Sequence, residues 1–164
     1  MFRRKQEEPY APEGAEQHEN GHVASLRDEL GLYHLWYFEL RLSQELARAS
    51  RSNGVFSIAT WYLRLLPNEV PGPELLRKAA SIITESLRSY DIVARIDEYR
   101  FGALLYDAKY EEAATVAHRL KGDIQIKVPS AGKWRAGVAT FGRDGVDGDA
   151  LVQTALRRLD EDAR

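Results

Sequence analysis

The sequence of 164 residues contains no cysteine and only one methionine. Without cysteine the protein can form no disulfide, has no thiolate nucleophile and cannot bind zinc through sulfur. No apolar run approaches the roughly 20 residues that a membrane-spanning helix requires, and residues 1–5 lack the apolar stretch of a signal peptide. We therefore expect a soluble, cytoplasmic protein with no membrane partner.

An excess of charge of one sign is also lacking, because the formal net charge is only -2. A protein that binds nucleic acid through the phosphate backbone normally carries a basic surface, so nucleic acid is not an expected partner. The apolar fraction of 44% suffices for one packed core. Residues 1–22 contain almost no aliphatic side chain and are predicted to be a flexible tail, followed by one domain over residues 23–164.

Hydrophobic periodicity predicts the secondary structure of the domain. Apolar residues at steps of three and four indicate helices, and short runs rich in β-branched and aromatic residues indicate strands. Gly31 interrupts the first helical pattern and divides it in two. The predicted helices are residues 23–50, 74–89, 109–121 and 149–161, and the predicted strands are residues 55–63, 92–96, 101–105, 124–128 and 134–141.

The strands over residues 92–96 and 101–105 are separated by four residues, which is the length of a hairpin loop. Arg88 and Asp91 stand three positions apart where the preceding helical pattern ends and the first of these strands begins. A guanidinium beside a carboxylate can hold a guanine edge or a phosphate. The base of this hairpin is therefore the candidate binding site.

The hairpin resembles the signature of the GGDEF domain, the family of diguanylate cyclases that make cyclic di-GMP. In that family an Arg-x-x-Asp pair lies five residues before a Gly-Gly-Asp-Glu-Phe turn and forms a product-binding inhibitory site. Here residues 88–91 (Arg-Ser-Tyr-Asp) precede residues 97–101 (Asp-Glu-Tyr-Arg-Phe) by five residues. The resemblance, which covers residues 26–162, implies an α/β (α+β) fold with a central, mostly antiparallel sheet flanked by helices.

The residues that the family uses for catalysis are replaced in this chain. Tyr62 and Arg64 stand where the resemblance places two metal-binding aspartates, and Pro73 stands where an aspartate reads guanine. Ala163 takes the position of a phosphate-binding lysine, and the turn lacks its two glycines. We therefore expect a domain without cyclase activity, bound metal or cofactor.

The resemblance implies a ligand site made of Arg88, Asp91 and Arg119, since Arg119 follows Phe101 by eighteen residues, where family members carry a second arginine. The expected function is a cyclic di-GMP receptor, with a homodimer and a downstream protein as further partners. The alternative is a non-binding domain that dimerises or docks to another protein, in which Arg88 and Asp91 form a local ion pair. Alanine at either residue is expected to leave the thermal melt unchanged.

Overall fold

The computed structural model describes residues 25–128 and 132–161. The predicted tail over residues 1–22 and Ala163 lie outside the described residues. The elements, in chain order, are α1 (Leu35–Ser52), β1 (Phe56–Arg64), α2 (Pro73–Ser86), β2 (Ile92–Arg95), β3 (Arg100–Tyr106), α3 (Tyr110–Lys127), β4 (Lys133–Thr140) and α4 (Gly148–Glu161). Across residues 25–128 and 132–161, no helix combines the length and the hydropathy that crossing a membrane requires.

The strands form one antiparallel sheet in the order β2-β3-β1-β4 within the described residues. Strand β1 is paired on both sides, with Tyr62 opposite Arg100 of β3 and opposite Arg135 of β4. The predicted hairpin is formed by β2 and β3. The predicted fold class, a mostly antiparallel sheet flanked by helices, is confirmed.

Helices cover both faces of the sheet, which explains why β1 is buried along most of its length. Trp61 points to the face covered by α2 and α3, where its indole N–H donates to the carbonyl of Ala117 at 3.0 Å. Phe56 and Ile58 point to the opposite face, where they pack with residues of α1 and α4. Alternate residues of one strand thus contribute to two separate cores.

The prediction of a helix over residues 23–34 is wrong for the described part of that range. Residues 25–34 contain no helix, and Tyr33 instead forms isolated bridges with Arg27 and Ala94. The cause is Asp28, whose Oδ1 accepts hydrogen bonds at 3.0 Å from the backbone amides of Leu30 and Leu32. Such local bonds give the backbone an alternative to helical pairing.

The prediction of a strand over residues 124–128 is also wrong, because α3 continues to Lys127. The β-branched residues Ile124 and Ile126 favoured a strand in the sequence. Ile124 is nevertheless fully buried and extends the inward face of α3 that begins at Ala113 and includes Leu120. Packing of that helical face therefore overrides the local β propensity.

Replacement of Gly137 by alanine tests the contact between β4 and α4. A Cβ at this position would lie 2.1 Å from the carbonyl oxygen of Ala155, a backbone atom that cannot move alone. We expect Gly137→Ala to lower the free energy of unfolding by about 2–3 kcal/mol or more, measured by denaturant unfolding.

Gly122→Ala is the matched control, because Gly122 lies inside α3 and a Cβ there meets no atom within 4 Å. This variant should raise the free energy of unfolding by roughly 0.5–1 kcal/mol. Equal unfolding energies for Gly137→Ala and the parent protein would contradict the described packing of α4 on the sheet.

Candidate functional site

The candidate site lies at the base of the hairpin, between the end of α2 at Ser86 and the start of β2 at Ile92. Residues 88–91 form a turn in which the amide of Asp91 donates to the carbonyl of Arg88 at 3.0 Å. The side chain of Arg88 is exposed, and its Nη1 donates to the carbonyl of Tyr106 at 3.4 Å. The predicted junction between helix and strand is therefore present, with an accessible guanidinium.

The carboxylate of Asp91 joins the two strands of the hairpin at their base. Its Oδ2 accepts from the backbone amide of Arg88 at 3.1 Å, and its Oδ1 accepts from the amide of Tyr106 at 3.2 Å. Each carboxylate oxygen can accept more than one hydrogen bond, so both keep capacity for a ligand. The two hydrogen bonds thus fix the position of the carboxylate and leave part of its acceptor capacity free.

Burial raises the pKa of Asp91, although the two backbone hydrogen bonds and the charge of Arg88 act in the opposite direction. A carboxylate that has lost part of its hydration gains more from a new donor than a fully hydrated one does. Asp91 therefore suits a role as an acceptor for ligand N–H groups.

A cavity of about 100 Å³ adjoins these residues, between the end of α2 and the start of α3. It is lined by Ser86, Leu87, Arg88, Asp91, Leu105, Ala108, Glu112, Ala113 and Val116. Arg119 is exposed on α3, three residues beyond Val116 and so on the same face of the helix, but it does not line this cavity. The structure brings Arg88 and Asp91 together and places Arg119 about one turn further along α3.

A larger cavity of about 560 Å³ lies beyond Tyr106, against α1. Arg41 donates to the hydroxyl of Tyr106 at 3.0 Å, and the buried Glu45 accepts from Arg48 at 2.8 Å. The remaining lining residues are Gln44, Tyr90 and Asp107. Sequence reasoning did not identify this cavity, although Arg41, Glu45 and Arg48 recur at the helical spacing that places them on one face of α1.

The positions at which the resemblance places metal ligands do not fit magnesium, which requires oxygen donors. Tyr62 and Arg64 occupy the end of β1, and the guanidinium carbon of Arg100 lies 4.8 Å from the centre of the Tyr62 ring. Across residues 25–128 and 132–161, no group of three or more acidic, histidine or cysteine side chains is arranged to hold a metal ion. A guanidinium therefore lies beside Tyr62.

Pro73, at the position of the expected guanine-reading aspartate, is the first residue of α2. Proline is well suited to that position because the first helical turn does not need its amide hydrogen. Its side chain offers no hydrogen-bond acceptor to a base. The substitution thus preserves the start of the helix and removes a polar contact.

The family model described as "Diguanylate cyclase, GGDEF domain" matches residues 27–162. No curated protein matches the chain significantly. The FimX GGDEF domain from Pseudomonas aeruginosa superposes with a TM-score of 0.74 at 22% identity, over 85% of this chain and 94% of that one. The GGDEF domain of DgcB from Caulobacter crescentus, in complex with c-di-GMP, gives 0.74 at 16% identity, over 88% and 93%.

The diguanylate cyclase SiaD from Pseudomonas aeruginosa, in complex with its activator SiaC, gives a TM-score of 0.73 at 24% identity, over 86% of this chain and 59% of that one. At these identities the superpositions establish a shared fold. The assignment of the chain to a family rests on the family model, which matches residues 27–162.

The hydrogen bonds of Asp91 change the expectation for its replacement. Asp91→Ala leaves the backbone amides of Arg88 and Tyr106 without their acceptor, which should lower the free energy of unfolding by about 1–3 kcal/mol. Arg88→Ala removes one long hydrogen bond from an exposed side chain and should change it by less than about 0.5 kcal/mol. Thermal melts of the two variants measure the difference, and equal melting temperatures would contradict the described role of Asp91.

Proposed function

We propose that this chain, which belongs to the GGDEF domain family, is a receptor for cyclic di-GMP that no longer synthesises it. The family match over residues 27–162 supports a place in cyclic di-GMP signalling. The fold is shared with DgcB, whose GGDEF domain was crystallised in complex with c-di-GMP. In this proposal the hairpin base still binds the nucleotide, whereas the positions of Tyr62 and Pro73 no longer support its synthesis.

The observation that carries the proposal is the geometry of Arg88 and Asp91 at the hairpin base. The guanidinium of Arg88 is exposed, and the carboxylate of Asp91 is held by two backbone amides. Arg88 would donate to a phosphate or to O6 and N7 of a guanine, and Asp91 would accept from N1 and N2 of a guanine. A pre-positioned acceptor loses little conformational entropy when the ligand binds.

Arg119 is proposed to complete this site. It lies on the same face of α3 as Val116, which lines the cavity beside Arg88 and Asp91. A ligand that fills the small cavity and extends along α3 would meet Arg119 of the same chain. Two guanines and two phosphates offer more contacts than three side chains satisfy, so a second ligand molecule or a homodimer would supply the remainder.

The proposed loss of cyclase activity rests on the replaced residues. Tyr62 and Arg100 form a cation–π contact in place of metal-binding carboxylates. Pro73 offers no acceptor to a base. Metal-assisted phosphoryl transfer depends on a bound cation to neutralise the developing charge, and the guanidinium of Arg100 would repel such a cation.

A second candidate function, protein docking without a nucleotide, is favoured by one surface feature of α1. Trp36 and Leu40 lie one helical turn apart and are 49% and 46% exposed. Large exposed apolar side chains are common at protein interfaces. SiaD, which shares the fold, was crystallised in complex with its activator SiaC. A downstream protein partner is therefore compatible with either function.

Titration calorimetry with cyclic di-GMP tests the receptor proposal. Each charge-assisted contact contributes about 1.5–3 kcal/mol, so Arg88→Ala should weaken binding roughly ten- to a hundredfold. Arg119→Ala should also weaken cyclic di-GMP binding, because Arg119 is proposed to complete the site. Asp91→Ala should also weaken it, with its affinity compared at a temperature where the variant remains folded.

Glu98→Ala is the control for this titration. Glu98 is exposed in the hairpin turn, at the opposite end of β3 from Tyr106, so its replacement should leave the affinity unchanged. Absence of binding by the parent protein at roughly 100 μM ligand, the weak end of the affinity scale for a specific ligand, would rule out the receptor and favour the docking function.

The proposed lack of synthesis is checked by incubating the purified protein with GTP and either Mg²⁺ or Mn²⁺. We expect no cyclic di-GMP, because the ligand positions hold tyrosine and arginine. An active diguanylate cyclase in the same buffer is the positive control. Metal-dependent product above the level of a sample without enzyme would contradict this part of the proposal.

A further inference from the structure

A groove of about 470 Å³ lies between α1 and α4. Its apolar lining is formed by Leu35, Phe38, Leu42, Leu46, Ile96 and Val152. Phe38 and Leu42 are buried, whereas Leu35 is 38% exposed. The volume lies within the range of roughly 300–1,000 Å³ that is typical of ligand sites, so the groove can accept large apolar side chains.

The charged side chains that line this groove are all acidic in the described part of the chain. Glu39, Asp147 and Asp149 are exposed there, and no described lysine, arginine or histidine lines the groove. Glu39 and Asp149 form no ion pair with any side chain in residues 25–128 and 132–161. An apolar groove bordered by carboxylates favours a ligand that carries both apolar and cationic groups.

Helix stability accounts for only part of this acidity. Asp147 and Asp149 lie at the start of α4, where negative charge is favourable, and Asp147 Oδ1 accepts from the amide of Ala150 at 2.8 Å. Glu39 has no such role, because it lies beyond the first turn of α1. Like charges that line one groove repel each other, so a cation that entered between them would relieve the repulsion.

One segment of the chain itself has the complementary composition. Residues 1–5 (Met-Phe-Arg-Arg-Lys) place two large apolar side chains beside three consecutive bases. Residues 6–24, in contrast, contain five glutamates and neither lysine nor arginine. All the lysine and arginine side chains that precede the described part of the chain are therefore concentrated in residues 3–5, next to Phe2.

The described chain begins close to one end of the groove, so the connection is long enough. The carbonyl of Leu26 accepts from the amide of His34 at 3.2 Å, directly before α1, and Leu35 lines the groove. Residues 6–24 can span up to roughly 60 Å when fully extended. The part of α1 that lines the groove, from Leu35 to Leu46, is only about 17 Å long.

We propose that residues 1–5 dock into the groove between α1 and α4 of the same chain, with Phe2 against the apolar lining and the three bases beside the carboxylates. Exposed ion pairs contribute little affinity each, but a tethered segment has an effective concentration on the order of mM. The docking is therefore reversible. It goes beyond the proposed function, because the groove shares no lining residue with the cavity at Arg88 and Asp91.

Paramagnetic relaxation enhancement in the full chain tests the proposal. Because the sequence contains no cysteine, Gln6→Cys provides a single site for a nitroxide label beside the docking segment. The nitroxide broadens the amide signals of residues that lie near it. We expect broadening at residues 39–46 of α1 and 147–153 of α4, and none at residues 76–83 of α2, which pack on the opposite face of the sheet.

Charge reversal separates docking from the mere presence of a tethered label. Replacement of all three bases of residues 3–5 by glutamate should abolish the broadening along the groove, because attraction becomes repulsion. Glu39→Lys should strongly reduce it for the same reason. Glu85→Lys is the matched control, since Glu85 is an exposed helical glutamate of α2 that lies outside the groove, and it should leave the broadening unchanged.

Equal broadening in the charge-reversed variant, or on both faces of the sheet, would overturn the proposal. A mixture of labelled ¹⁴N protein with unlabelled ¹⁵N protein tests for a second copy as the source of the segment. Broadening in this mixture as strong as within one chain would overturn docking in the same chain. None of these outcomes bears on cyclic di-GMP binding at Arg88, so failure of one proposal is distinguishable from failure of the other.

Discussion

The pairing of β1 with both β3 and β4 is the constraint on which the rest of the structure depends. It fixes which side chains face α1 and α4 and which face α2 and α3, because a shift of one residue would exchange the two faces. Trp61 would then leave its core, and Tyr62 would no longer lie beside Arg100. Gly137 must also keep its place in this register, because only a residue without a side chain lets α4 pack closely against β4 at that position.

The register gives the two ends of β3 different chemical characters. At Tyr106, the strand end is bonded to Asp91 and lies beside the guanidinium of Arg88. At Arg100, the strand begins beside Tyr62, with no carboxylate opposite it in the sheet. A strand of seven residues spans roughly 20 Å, so the two ends are well separated. The side chains present at one end therefore need not disturb the geometry of the other.

The sequence was most informative where hydrophobic periodicity and turn length agreed. The two hairpin strands, the central strand and the final helix were predicted within a few residues. Burial of these elements imposes a regular spacing of apolar residues that is recognisable in the sequence. The junction that holds Arg88 and Asp91 followed from the same pattern. Tyr62 and Arg64 were singled out only through the family resemblance.

The errors arose where a single contact overrides local preference. One aspartate, Asp28, holds residues 28–32 in a non-helical turn, and one buried isoleucine, Ile124, continues α3 through a stretch with strand composition. The cavity beside Arg41 combines residues that are distant in the chain, and the hydrophobic periodicity of a single segment cannot predict such neighbours. The hydrogen bonds of Asp91 to the amides of Arg88 and Tyr106 were missed, because a sequence does not show which backbone amides a side chain will reach.

The most direct test of the account is an NMR titration of the ¹⁵N-labelled protein with cyclic di-GMP in the presence of EDTA. The amide of Tyr106 is a sensitive probe, because it donates to the carboxylate of Asp91, which would also accept hydrogen bonds from the guanine N–H groups. We predict saturable shifts at residues 88–91 and 105–108, with the amides of residues 97–100 unchanged. Shifts confined to the hairpin turn, or no shifts at any ligand concentration, would contradict the assignment of the nucleotide site to the hairpin base.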